Sequence, residues 1–363
     1  MLYVAKPGWT SDLKAFVFTD QTISKDNNLK DNLKLINPTN KFKSSGAYED
    51  WQEHVVKPSI NNPLFAFALA TAFTPILLRL VKMDSFCVNL YGETTKGKTT
   101  ALQIASSVWG CGSDPSQPDS YIYNWNATGN ALNYLASGSN DVLLAIDELG
   151  SFVNDSLGQV VYALSGGKSR KGMKSNNQLR DDLTWNMVLL STSEVSGRQK
   201  MEDEGRVYTG QLNRFIDIPV NELNEQKKSD DAELAISDDA KLADALKISC
   251  SEYYGMAGIE LVKAITDYSD GRDDLIKEIN KWHKESFDYL MALEEVMALD
   301  LTPELSRSIR RFALIFTASK LIARGNIVAL FELDPTINYK EIDECWRRLK
   351  TDHLCRLKID QGI

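Results

Sequence analysis

The sequence predicts an α/β fold, a parallel sheet covered by helices on both faces, with an all-helical region after it. Three observations predict it. Between Phe86 and Val220, four short apolar segments are separated by helical or loop stretches: Phe86–Tyr91, Val142–Ile146, Asn186–Leu190 and Phe215–Val220. Strands that are apolar on both faces suit a parallel sheet buried on each side. A glycine-containing turn, Gly92–Thr99, joins the first of these segments to a helical stretch, Ala101–Trp109. After an acidic, polar linker at 221–240, the pattern to residue 363 is helical. The chain therefore divides into a small β/α lead-in at 1–82, an α/β core at 83–220 and a helical region at 221–363.

The lead-in begins with a hairpin signal, Ala15–Phe18 followed by Thr19-Asp20-Gln21-Thr22-Ile23. The stretch 24–46, rich in Asn, Lys and Ser, reads as a loop, and 47–82 as two helices. A chain that opens almost directly on a hairpin reads as the C-terminal part of a longer protein. Residues 63–78 carry no charge, but the run is shorter than the roughly 20 apolar residues of a spanning helix. It contains Thr71, Thr74 and Pro75 and meets Arg79 and Lys82, so it predicts a buried core helix and no membrane span. In the helical region the clearest element starts at Thr302 as N-cap, with Pro303 and Glu304 in its first turn, and stops at Arg324 and Gly325. Leu305, Ile309, Phe312 and Phe316 fall on one of its faces.

With 363 residues, 43% of them hydrophobic and 25% charged, the chain has globular composition and material for two or three domains. Its net charge of -9 and pI near 5.1 exclude a protein that coats nucleic acid through general charge. Any nucleic-acid contact must come from a local basic element. Five cysteines with no Cys-x-x-Cys pair, and only three histidines, do not suggest a zinc site. The odd cysteine count and the lack of a signal peptide favour a reducing cytoplasm.

Gly92-Glu93-Thr94-Thr95-Lys96-Gly97-Lys98-Thr99 fits G-x-x-x-x-G-K-[ST], and it stands between an apolar strand and a helix as that motif requires. The run through Thr100 is the expected cradle for ATP. Gly92 and Gly97 let backbone N–H groups turn toward phosphate oxygens, Lys98 places an ammonium on the β- and γ-phosphates, and the Thr99 hydroxyl ligates Mg2+. Some fifty residues on, Val142-Leu143-Leu144-Ala145-Ile146 delivers Asp147 to the metal and Glu148 to the attacking water. A water-activating Glu148 argues against a small-molecule kinase. The third strand ends in Ser191-Thr192-Ser193-Glu194, where Thr192 or Ser191, ahead of Ser193, is placed to hold the lytic water or the γ-phosphate. Arg214, just before the last strand, lies at the module's edge, where it could reach a neighbouring subunit's nucleotide as an arginine finger.

These motifs, in this order, resemble the family catalogued as domain of unknown function 927. The resemblance is carried by Gly8-Trp9, Glu49-Asp50-Trp51, Asn62-Pro63-Leu64, Ala72-Phe73 and Gly97-Lys98-Thr99-Thr100. It continues in Ser107-Val108-Trp109-Gly110, Asp147-Glu148-Leu149, Tyr162-Ala163-Leu164-Ser165, Leu190-Ser191-Thr192-Ser193-Glu194, and Arg307, Arg311, Phe312 and Ala313. It implies a P-loop AAA+ core with a C-terminal all-α lid, in a relative of MCM helicases from phage, plasmid and genomic-island replication modules. It further implies a ring, a hexamer, acting on single-stranded DNA and working beside a primase or other replication protein. MCM-like proteins carry a pore hairpin before the third-strand polar residue. Here that place is taken by Gly166–Lys174, and Ser165–Arg180 holds five basic residues and no acid. Lys168, Arg170, Lys171 and Lys174 are the implied DNA contacts. A lid arginine on the nucleotide is implied at Arg307 or Arg311, with Arg310 also open. The asparagine of the MCM third-strand motif is replaced here by Ser or Thr.

Two functional classes fit these readings. One is an ATP-driven DNA translocase or helicase. The other is a slow nucleotide-switched remodeller or loader acting on a protein partner. Stimulation of hydrolysis by single strands separates them.

Overall fold

The computed structural model describes residues 2–36, 41–60, 62–94, 97–153, 155–169, 182–205, 210, 214–220, 232–268, 272–297 and 302–324. The chain opens with β1 (Leu2–Val4), β2 (Gly8–Trp9), β3 (Ala15–Val17) and β4 (Thr22–Ser24). β2, β3 and β4 form an antiparallel sheet, and the β3–β4 hairpin is the expected one, closed by Phe18 N–H on the Gln21 carbonyl at 2.8 Å. The polar stretch 24–46, read as loop, instead contains α1 (Asn27–Asn32) and β5 (Leu33–Leu35). Asp26 caps α1 by accepting from Asn28 N–H, and β5 pairs in parallel with β1. Leu33 is buried with Ala15 and Val17. One well-placed leucine, rather than any periodicity, holds this segment.

Residues 47–82 give the two expected helical stretches. The first is α2 (Tyr48–Trp51), a π-helical turn at Gln52–Val56 and α3 (Lys57–Ile60); the second is α4 (Pro63–Phe73) and α5 (Pro75–Leu78). Asn62 caps α4, its side chain accepting from Leu64 N–H at 3.0 Å, and Pro63 opens the first turn. α4 is apolar all round because it is buried all round, and among the described residues no helix is long and apolar enough to cross a membrane.

The central sheet contains β6 (Phe86–Tyr91), β7 (Tyr123–Asn124), β8 (Leu143–Asp147), β9 (Val188–Ser193) and β10 (Phe215–Pro219), all parallel, in the order β10-β6-β9-β8-β7. Successive residues feed two cores: Phe86, Val88 and Leu90 join one cluster and Cys87 the other, while Leu143 and Ala145 alternate with Leu144 and Ile146. This accounts for the continuous apolar runs. The third strand runs to Ser193 rather than ending at Leu190, because β6 pairs with it through Tyr91↔Ser193. β7, two residues at the sheet edge, has no periodicity to betray it. Around the sheet lie α6 (Lys98–Ser107), α7 (Gly129–Gly138), α8 (Leu157–Ser165) and α9 (Gly197–Asp203).

The helical region comprises α10 (Ala232–Glu252), α11 (Met256–Thr266), α12 (Arg272–Met291), α13 (Glu294–Met297) and α14 (Pro303–Arg324). The stretch expected as a linker to 240 is therefore helical from Ala232; 221–231 lie outside the described residues. Thr302 caps α14 through Leu305 N–H at 3.2 Å, and Leu305, Ile309 and Phe316 are buried as expected, with Phe312 half-buried; Gly325 lies outside the described residues. α14 packs on both α12 and α4. One hydrophobic cluster joins Trp9, α4, α6, the sheet and α14.

A polar joint ties the lead-in to the start of β8. Asp141, fully buried, accepts from Trp9 N–H at 2.9 Å and Asn140 Nδ2 at 2.8 Å and pairs with Arg79 at 3.3 Å. Gly8 has φ +104°, and a Cβ there would stand 2.4 Å from the Asp141 carboxylate, so the close approach requires glycine.

Candidate active site

The P-loop occupies the C-terminal end of β6. Gly92 (φ +146°) and Gly97 (φ +83°) adopt backbones that favour glycine, and α6 begins at Lys98 with its free N–H groups facing the turn. Thr95 and Lys96 lie outside the described residues. Lys98 Nζ donates to the carbonyls of Gly92 at 2.5 Å and Glu93 at 2.6 Å, which holds the ammonium inside the turn. Burial lowers its pKa, opposed by Glu194, Glu148, Asp147 and Glu93. Thr94 Oγ1 donates to Glu194 at 2.9 Å, tying the loop to the end of β9.

Because β9 lies between β6 and β8, the end of the third strand falls between the P-loop and the acidic pair. The Thr192 hydroxyl donates to Asp147 Oδ1 and accepts from Glu148 N–H at 3.1 Å. Burial raises the Asp147 carboxyl, with the Thr192 bond acting against it. Glu148 has a left-handed backbone, φ +62° and ψ +67°, and leads into a 3-10 turn at Leu149–Ser151. A non-glycine residue held there is strained, and such strain collects at sites that aim a side chain. Gly150 leaves room for it: a Cβ at that position would lie 2.6 Å from Glu148 Oε1.

Lys98, Thr99, Asp147, Glu148 and Thr192 line one cavity of about 350 Å³, together with Thr94, Gly97 and Thr100. Its far wall is α10, through Ala240, Ala243, Asp244 and Lys247, the last two paired at 2.9 Å. Sequence reasoning missed this wall, since α10 begins inside a stretch that reads as a linker. It also missed Glu194, and Asn89, whose amide donates to Ser193 at 2.9 Å and Asp217 at 2.8 Å across the sheet top. A buried Asn in an otherwise apolar strand was the available signal. The donor set at the cavity suits magnesium: Thr99 and Asp147 offer hard oxygens beside a glycine turn and an ammonium that suit a polyphosphate.

Several expected site residues lie elsewhere. Ser191 is fully buried and accepts from Trp125 Nε1 at 2.7 Å, so it packs under the sheet instead of facing the cavity. Thr192, and then Ser193, line it. Arg214, Arg307 and Arg311 do not line this cavity. Arg214 is at the start of β10, where its carbonyl accepts from Cys87 N–H at 3.0 Å and its guanidinium lies 4.2 Å from the Tyr162 ring centroid. Arg311 lies over Phe86, 6.0 Å from the ring centroid, and burial lowers its pKa, with repulsion from Arg214 and Arg307 adding to that. Arg307, Arg310 and Arg311 line a second cleft of about 660 Å³ with Lys82 and Lys284. All of these sit at the N-terminal end of β6, the length of a six-residue strand or roughly 20 Å from the P-loop.

The basic loop is described only at its root. Lys168 bridges Thr184, Ser169 N–H donates to Leu183 carbonyl at 2.9 Å and Trp185 N–H to Gly167 carbonyl at 3.0 Å, the antiparallel base of a hairpin. Lys168 itself pairs with Asp182 at 2.6 Å. Arg170, Lys171 and Lys174 lie outside the described residues.

Comparison with solved structures finds the fold in a chain described as SCCmec type IV Cch, an active helicase, with a TM-score of 0.65 and 19% identity. The match covers 97% of this chain and 60% of that one, so this chain spans under two thirds of the helicase's length. No curated protein matches. The family model of domain of unknown function 927 matches residues 1–182, half of the chain, from the lead-in to the basic hairpin. The chain belongs to the family of domain of unknown function 927.

Proposed function

We propose that this protein is an AAA+ ATPase that couples ATP hydrolysis at the subunit interfaces of a ring, a hexamer, to movement along single-stranded DNA in a mobile-element replication module. The observation that carries this reading is the convergence of Lys98, Thr99, Asp147, Glu148 and Thr192 on one cavity walled by a helix of the C-terminal region. The helicase character of the chain described as SCCmec type IV Cch supports the DNA part of it.

In this mechanism the P-loop and Lys98 hold the β- and γ-phosphates. Magnesium, held by Thr99 and Asp147, would neutralise charge on the phosphates. Glu148 takes a proton from the water aimed at the γ-phosphate. Thr192 fixes both acids, one through its hydroxyl proton and the other by accepting its backbone N–H. Arg214, Arg307 and Arg311 stand at the other end of the sheet, so they serve the nucleotide of a neighbouring copy. The hairpin rooted at Gly167–Ser169 carries Arg170, Lys171 and Lys174 to the DNA.

Mixing tests the shared site. Arg214→Ala subunits retain their own P-loop, and Glu148→Gln subunits retain their own arginine. A verified mixed oligomer should recover part of the hydrolysis that each variant lacks alone. An arginine finger contributes roughly 10³-fold or more to rate, so even partial recovery is measurable. No recovery in the mixed oligomer counts against catalysis across the interface.

A further inference from the structure

Tyr162 is more than half exposed at 54%, yet the Arg214 guanidinium stacks 4.2 Å from its ring centroid. A cation over an aromatic face is held without being neutralised, which suits a group that must later meet another anion. The backbone of Arg214 is fixed independently by the Cys87 N–H bond at 3.0 Å, so the Tyr162 contact bears on where the side chain points.

Tyr162 lies on α8, and α8 is the root of the basic hairpin. The helix ends at Ser165 and the chain turns through Gly166 and Gly167, with φ +68° at Gly167, directly into the outgoing arm. The returning arm is bound to the same helix, since Trp185 Nε1 donates to the Leu164 carbonyl at 2.7 Å. Both arms of the hairpin are thus anchored within one turn of Tyr162. On the lead-in side, Lys6 Nζ donates to the Thr184 carbonyl at 3.0 Å, so the returning arm is braced from behind.

We propose that Tyr162 is a positioning residue for Arg214, and that α8 is the lever by which the basic hairpin sets the aim of that arginine. This rests on the reading of Arg214 as a group acting on a neighbour's nucleotide. A strand that loads the hairpin shifts α8, Tyr162 moves with it, and the guanidinium is presented or withdrawn. Hydrolysis in one subunit is thereby tied to DNA held by the next.

The test is steady-state ATPase of the full chain, with and without single-stranded oligonucleotide, for wild type, Tyr162→Phe, Tyr162→Leu and Arg214→Ala. Leucine keeps bulk and removes the π face; phenylalanine keeps the face. Tyr162→Leu should lower kcat in the presence of DNA by roughly twofold to fivefold, the population cost of one cation–π contact at a half-exposed site. KM for ATP should be unchanged, the ratio of stimulated to unstimulated rate should fall toward one, and Tyr162→Phe should match wild type. Tyr162→Leu at wild-type kcat overturns the proposal. A lowered kcat with an unchanged stimulation ratio overturns the lever. Arg214→Ala at wild-type rate overturns the underlying reading of Arg214. A slow Arg214→Ala beside a fast Tyr162→Leu leaves that reading standing and removes Tyr162 alone.

Discussion

Lys98 and Glu148 share one cavity but perform separable tasks. Lys98→Ala removes the ammonium that the Gly92 and Glu93 carbonyls hold inside the turn, and ATP affinity should fall. Glu148→Gln keeps size, backbone and hydrogen-bonding capacity while removing the base; ATP should still bind, with turnover reduced by about 10²-fold or more. Binding of a fluorescent ATP analogue alongside steady-state turnover checks both, and a Glu148→Gln protein with normal turnover would sink the assignment. Thr192 has a third role. Thr192→Val removes the hydroxyl joining Asp147 to Glu148 N–H, so turnover should drop by about tenfold, in line with other positioned hydrogen bonds. Thr192→Ser should restore it, while a Thr192→Val enzyme at full rate would assign the hydroxyl a structural role only.

At the scale of elements, the strands with both faces buried were legible because each position feeds a core: β6 matches the expected Phe86–Tyr91 in full. The P-loop, Asp147 and Glu148 were legible because their chemistry needs fixed residue types at fixed spacing. The far wall of the cavity was not, since α10 reaches it through Ala240, Ala243, Asp244 and Lys247, an exposed face with no motif. Nor was the place of Ser191, which turns on Trp125 arriving from a loop distant in sequence. The joint at Asp141 was equally invisible, being built from Trp9, Arg79 and Asn140. Burial pushes Asp141 up to about 6 despite Arg79, and its Oδ1 is buried without a hydrogen-bond partner among the described residues. A raised carboxyl pKa contributes stability below the unfolded value, near 4, and loses it as pH rises through about 6. From pH 8 to pH 5 the wild type should therefore gain roughly 1–1.5 kcal/mol relative to Asp141→Asn, since about one pH unit of that window lies below the folded pKa and each is worth about 1.4 kcal/mol. Thermal melts of both proteins at the two pH values check this; parallel shifts would refute it. The hairpin is an element with a different readout. Lys168 is paired to Asp182, so the test variant is Lys171→Ala with Lys174→Ala. Removing a cation that neutralises a single-strand phosphate should flatten the salt slope of binding by about 0.7. Unchanged affinity and slope in a fluorescence-anisotropy titration would place the DNA path elsewhere.

For the whole molecule, a net charge of -9 leaves general electrostatics unable to hold DNA, so binding is confined to a few local groups. The arginines face the other way, at the far end of the sheet from the phosphates they would serve. A chain arranged like this does its chemistry only in company, and its partner is a second copy of itself. The measurement that bears most directly on an ATP-driven DNA motor is the ATPase rate of the purified chain with and without single-stranded oligonucleotide, with Glu148→Gln as the background. Hydrolysis that rises severalfold on adding single strands, and is absent from Glu148→Gln, is the expected result. Hydrolysis that depends on Glu148 but is unmoved by single strands at low salt would contradict a DNA motor and point to a remodeller of protein partners.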